Sequence, residues 1–138
     1  MKSLRHLSIQ ATCHNRQIAW PRNAIITGPN GTGKTSLIRS IQFLLTGDWG
    51  PYKQAGDIAK FGRDGNLYVS GAWDGITVAR RIETMDGKSS QEIDIIPYAG
   101  KDRQKEQEEH IGKQLGSFAP MLDLGAFIGL SDAERIKF

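Results

Sequence analysis

The residues best suited to chemistry are Gly28-Pro29-Asn30-Gly31-Thr32-Gly33-Lys34-Thr35, which match the pattern G-x-x-x-x-G-K-[ST]. Gly28, Gly31 and Gly33 permit backbone conformations that a Cβ would block, so that successive N–H groups can converge on phosphate oxygens. A helix starting at the end of the loop adds the positive end of its dipole. Lys34 is placed to reach the β- and γ-phosphates, and Thr35 offers a hydroxyl to Mg2+. The pattern predicts that a nucleoside triphosphate with Mg2+ binds here. Asn30, Gly31, Thr32, Gly33, Lys34, Thr35 and Ser36 are the candidate contacts, and Thr35 is a candidate metal ligand. A glycine-rich turn that merely happens to carry Lys-Thr is the alternative, and the flanking sequence speaks against it.

Two elements must hold such a loop. Ala24-Ile25-Ile26-Thr27, short, apolar and partly β-branched, predicts a buried strand before it. Apolar residues at helical spacing predict a helix from about Gly33 to Leu45, closed by Gly47. Ahead of these, loose alternation over residues 2–12, slipping in phase at Arg5-His6, predicts a first strand, and 17–20 a second, stopped by Pro21. Residues 47–57 read as loop, where Trp49 and Tyr52 would either stack on an adenine or, the favoured expectation, pack on the domain itself. Strands at 66–73, 76–84 and 91–96, joined by the turn pairs Asp74-Gly75 and Asp86-Gly87, predict an antiparallel meander with Ile76, Val78 and Arg80 on one face. The polar run before Ile111 and Leu115 predicts a solvated surface helix over about 103–115. An apolar stretch follows at 118–130, then a capping box, Ser131 with Glu134, opening a helix cut short at Phe138.

With 138 residues, 38% hydrophobic and 24% charged, the chain is sized for one globular domain. Its apolar runs are too short to span a bilayer, and Arg5, His6, Ser8 and Gln10 interrupt any signal-like segment, so no membrane partner and a cytoplasmic location are expected. The lone cysteine, Cys13, excludes an internal disulfide and suits a reducing compartment. His6, His14 and His110 lack ligand-like spacing. Net charge is +3, too small to argue for nucleic acid; Lys53, Lys60, Arg63, Arg80 and Arg81 as a basic face are the less favoured reading beside solvated or paired charges.

Hydrolysis needs an acid at the end of an apolar strand and a group that orients water. Asp94 is a weak candidate because its apolar neighbours follow it, and Asp123 follows only Met121-Leu122. No Asn-Lys-x-Asp for guanine is present, nor a parallel strand–helix series after the loop.

The order of Met-Lys-x-Leu, the phosphate loop, Ser-Leu-Ile-x-x-Ile, Leu-Leu-Thr-Gly, Val-Ala-Arg-Arg-Ile and a late Gly125-x-Phe127 with Glu134-Arg135 resembles the N-terminal lobe of SMC-like DNA-repair ATPase heads of the SbcC type. The resemblance covers essentially the whole chain. It implies an α/β P-loop NTPase lobe of the ABC/SMC head type, with mixed and antiparallel β-sheet around one P-loop helix. Residues 1–138 would be a single lobe, cut where a coiled coil begins. It further implies ATP and Mg2+ as ligands, a C-terminal lobe of the same head supplying signature motif and catalytic acid, and homodimerisation through ATP. DNA is the implied partner, alongside a possible nuclease subunit. Carried over by position, Arg16 in the first turn would touch nucleotide. Where the family has a Gln that ligates Mg2+, Leu124 stands, with Asp123 beside it as the substitute metal ligand. Leu130-Ser131-Asp132 lacks the paired glycines of a signature motif. An ABC transporter-type domain fragment and a stand-alone nucleotide-binding domain without hydrolysis remain as alternatives.

Overall fold

A computed structural model describes residues 2–11, 14–21, 25–100 and 103–116. Ala24, Cys13, Asp123, Leu124, the apolar stretch and the capping box lie outside those residues. The described elements are β1 (Leu4–Ala11), β2 (His14–Ala19), α1 (Lys34–Thr46), α2 (Ala55–Ile58), β3 (Leu67–Trp73), β4 (Ile76–Met85), β5 (Lys88–Ile96) and α3 (Gln104–Leu115). The strands form one sheet in the order β2-β1-β3-β4-β5, and every pairing is antiparallel. The mixed sheet expected from the sequence is therefore corrected, among the described residues, to an antiparallel one. Residues 25–29 have no strand ladder and Ile25 is 91% exposed, so the predicted buried strand before the loop is not formed. Its composition suits a strand, but no neighbour in this sheet offers it a ladder of hydrogen bonds.

Period-two alternation decides which face of each strand is buried. Leu67, Val69, Gly71 and Trp73 of β3 point inward with Ile76, Val78, Arg80 and Ile82 of β4, Leu7 and Ile9 of β1, and Ile93 and Ile95 of β5. The register of β1 on β3 shifts between Leu4 and His6, where the sequence loses phase. Asp86 and Gly87, both with positive φ (51° and 75°), form the tight turn between β4 and β5.

Phe43, Leu44 and Leu45 of α1 and Ile111 and Leu115 of α3 complete one apolar cluster with the inward strand residues. Trp49 is only 2% exposed, meets Phe43 edge-on at 6.2 Å and stacks on Phe61 at 5.5 Å, and Tyr52 tilts against Phe61 at 5.2 Å. These rings pack on the domain at the C-terminal end of α1. A 13-residue helix is about 20 Å long, which separates them from the loop at the other end. The single turn of α2, which brings Ile58 into full burial, was not visible in the sequence because four residues carry no period.

α3 forms where expected but is not merely a solvated face. Gln107, Ile111 and Leu115 make a buried stripe at i, i+4, i+8. Gln107 donates its side-chain N–H to the Ile93 carbonyl of β5 at 3.2 Å, on a strand that is at the edge of the sheet among the described residues. Gln107→Ala is expected to lower stability by about 1 kcal/mol, the usual worth of one hydrogen bond, measurable by urea unfolding.

Candidate nucleotide-binding site

Residues 28–32 of the loop are exposed, and the loop enters α1 at Gly33 without a side-chain cap. Gly28, Gly31 and Gly33 all have positive φ (151°, 83° and 86°), a region that L side chains rarely adopt. The Thr32 hydroxyl donates to the Pro29 carbonyl at 2.9 Å, closing the loop on itself, and a Cβ on Gly28 would lie 3.0 Å from that hydroxyl oxygen. Gly33, left-handed, stands at the N-cap, and the first turn of α1 holds no acid to neutralise the helix dipole. The first N–H groups of the helix, orphaned by geometry, are thus offered to an anion.

Lys34 turns back over the loop and donates to the Gly28 and Pro29 carbonyls, at 2.7 and 2.6 Å. Its ammonium is thereby held at the loop, able to exchange backbone carbonyls for the stronger acceptor that a phosphate oxygen is. Thr35 follows in the first turn with its residue exposed. Asn30, Gly31 and Thr32 are exposed, and Gly33 and Ser36 half-buried.

A cavity of about 310 Å³ opens beside the loop, walled by Ile9, Arg16, Ile18, Ile26 and Leu37 together with Gly28, Thr32, Gly33 and Lys34. Arg16 reaches this wall because β2 pairs with β1 in the register that sets Arg16 opposite Ile9 and Ile18 opposite Leu7. The sheet therefore brings Arg16 and Lys34, 18 positions apart in the chain, to one cavity. Anion donors, two cations and an apolar wall fit a nucleotide polyphosphate.

The other candidates fall elsewhere. Asp94 sits exposed on the edge strand β5 and does not line the cavity. Among the described residues no three of His, Cys, Asp and Glu converge as a metal site. Arg80 is wholly buried, so it belongs to no basic surface, and Arg81 is paired with Glu92. No described helix is long and apolar enough to cross a membrane.

A glycine-built phosphate loop that feeds a helix N-terminus, with its lysine at the first helical position, defines the class of P-loop nucleotide-binding α/β proteins. The AAA domain family matches residues 15–128, and the chain belongs to that family. Curated relatives include the DNA replication and repair protein RecF of Rhizobium johnstonii and RecF of Rhizobium leguminosarum bv. trifolii. Each is 30% identical over 118 residues, which is 83% of this chain and 30% of the relative. The chain thus spans about 30% of the length of the relatives it matches. No solved structure matches it.

Proposed function

We propose that this chain is the ATP-binding N-terminal half of an SMC-like ATPase head acting in DNA repair or recombination. Its cradle would be Asn30, Gly31, Thr32, Gly33, Lys34, Thr35 and Ser36, with Arg16 as a further nucleotide contact. The observation that carries the reading is the joint placement of Lys34, the uncapped N-terminus of α1 and Arg16 at one cavity. The names of the RecF relatives support the DNA-repair part of it. Bound Mg2+ would neutralise phosphate charge, with Thr35 as its ligand from this half and Asp123 as the second candidate. Lys34 would hold the phosphates, and Arg16 would add charge from the β2 side. The catalytic acid and signature motif would come from a C-terminal lobe, and ATP would join two such heads into a homodimer on DNA, with a nuclease subunit as a possible further partner. A cytoplasmic location belongs to the same reading.

The exposure of Ile25, on an apolar segment that has no ladder among the described residues, supports a head completed by further sheet. The test is titration of the 138-residue chain with ATP–Mg2+, with phosphate release followed in parallel. Weak binding without turnover is expected, and Arg16→Ala is expected to weaken binding about tenfold, the worth of one partly exposed charge-assisted contact. Robust turnover by the chain alone would overturn the half-head reading in favour of a complete NTPase.

A further inference from the structure

The motif Val78-Ala79-Arg80-Arg81-Ile82 places a cation where the alternation of β4 demands an apolar residue. Arg80 points inward between Val78 and Ile82 and is 0% exposed. Its Nε donates to the Leu44 carbonyl at 2.9 Å, Nη2 approaches the Leu45 carbonyl at 3.5 Å, and Nη1 approaches Glu108 of α3 at 3.5 Å. Leu44 and Leu45 are among the last residues of α1, whose carbonyls have no intrahelical donor. The N–H of Gly47 takes the carbonyl of Phe43 at 2.8 Å, so Arg80 and Gly47 between them close the C-terminus of that helix. Burial pushes the Arg80 guanidinium below its ordinary range, and Glu108 works against that shift.

α1 is held unevenly. Of its buried residues, Phe43, Leu44 and Leu45 lie in the C-terminal turn and Ser40 at the middle, while Leu37, Ile38 and Ile41 are only half-buried and Thr35 is exposed. Among the described residues the end that carries the phosphate loop is thus the less buried end, and the clamped carbonyls lie about 15 Å along the helix from Lys34. A rigid helix transmits the position of its clamped end to its free end. Apolar packing resists separation, but a directional fork on two successive carbonyls resists rotation and sliding as well.

We propose that Arg80 is a positioning residue for the phosphate loop: its fork on Leu44 and Leu45 fixes the axial and rotational setting at which the N-terminus of α1 meets the phosphates. The proposal rests on the reading of residues 28–35 as the phosphate site.

The test uses the full chain and three variants, each compared at a temperature where it is folded by circular dichroism. Arg80→Lys retains the charge but replaces the planar, rigid fork with an ammonium on a flexible stem, whose donors rotate freely and fix no direction on the two carbonyls. It is expected to lower ATP–Mg2+ affinity about tenfold and to speed amide exchange at Leu37, whose N–H bonds the Gly33 carbonyl at 2.9 Å, by a similar factor. Ile82→Ala, on the same strand and face, removes packing without touching α1's carbonyls, and should leave both quantities near the parent values. Glu108→Gln should shift both in the direction of Arg80→Lys, by about two- to threefold, and decides the matter if Arg80→Lys does not fold. Parent-like exchange at Leu37 in Arg80→Lys, or equal changes in Ile82→Ala, would overturn the proposal. A parent chain that bound no ATP would instead sink the phosphate-site reading, with Leu37 exchange still deciding the role of Arg80.

Discussion

Lys34→Ala is expected to reduce affinity for ATP–Mg2+ at least a hundredfold while leaving the fold intact. The ammonium is held against the Gly28 and Pro29 carbonyls, at the mouth of a loop that carries no other charged side chain. Removing it takes away the one mobile full charge of the loop. A charge-assisted hydrogen bond is worth about 1.5–3 kcal/mol, and on the proposed reading Lys34 would offer more than one donor to the β- and γ-phosphates, so about 2.7 kcal/mol, or a hundredfold, is a modest expectation. Stability should change little, because the loop is exposed and water can solvate the two carbonyls that lose the ammonium. Isothermal titration with ATP–Mg2+, beside thermal unfolding of the same variant, measures both. Binding equal to that of the parent chain would remove the loop from the site altogether.

Gly71→Val is expected to destabilise the domain by roughly 3 kcal/mol, at the upper end of what overpacking a core costs. Gly71 lies on the inward face of β3, where a Cβ would sit 2.7 Å from Leu44 Cδ2 and 2.9 Å from the Trp73 ring. Neither neighbour can give way cheaply, since Leu44 is wholly buried and Trp73 nearly so. Here the absence of a side chain, rather than any special backbone angle, is what lets α1 approach the sheet. Valine would lift the helix or force both side chains off their rotamers. The transition should fall by roughly 10 °C, followed by calorimetry. Gly71→Ala should show a smaller loss in the same direction. A valine variant as stable as its parent would mean that α1 does not rest on β3 at this point.

The meander was largely legible because its signals are local. Asp86-Gly87 supplies positive φ cheaply, and the alternation of 67–73 and 76–84 assigns inward and outward residues before any partner is known. Even the irregularity of β1 at Arg5-His6 showed as a break in phase. The favoured packing of Trp49 and Tyr52 on the domain is what the structure has, with Phe61 as the shared partner. The segment before the loop misled for the converse reason. Ile25 and Ile26 have the composition of a buried strand, but a strand exists only against a neighbour, and composition does not say whether one is present. The polar run in α3 misled in part, because one amide, Gln107, serves the edge of β5, a role no periodicity reveals.

The sequence by itself determined the phosphate-loop pattern, the helix that follows and its glycine stop, and the three strands of the meander with their turns, since each depends on residue types within a few positions of one another. Only the tertiary structure decided that Arg16 faces the loop's cavity while Asp94 does not, that Arg80 is a buried clamp on α1 rather than part of a basic surface, and that the described sheet is antiparallel throughout. Those outcomes turn on strand register and on which distant groups share a buried space. They are set by burial and hydrogen-bond satisfaction summed over the whole fold, to which neighbouring residues in the chain contribute little.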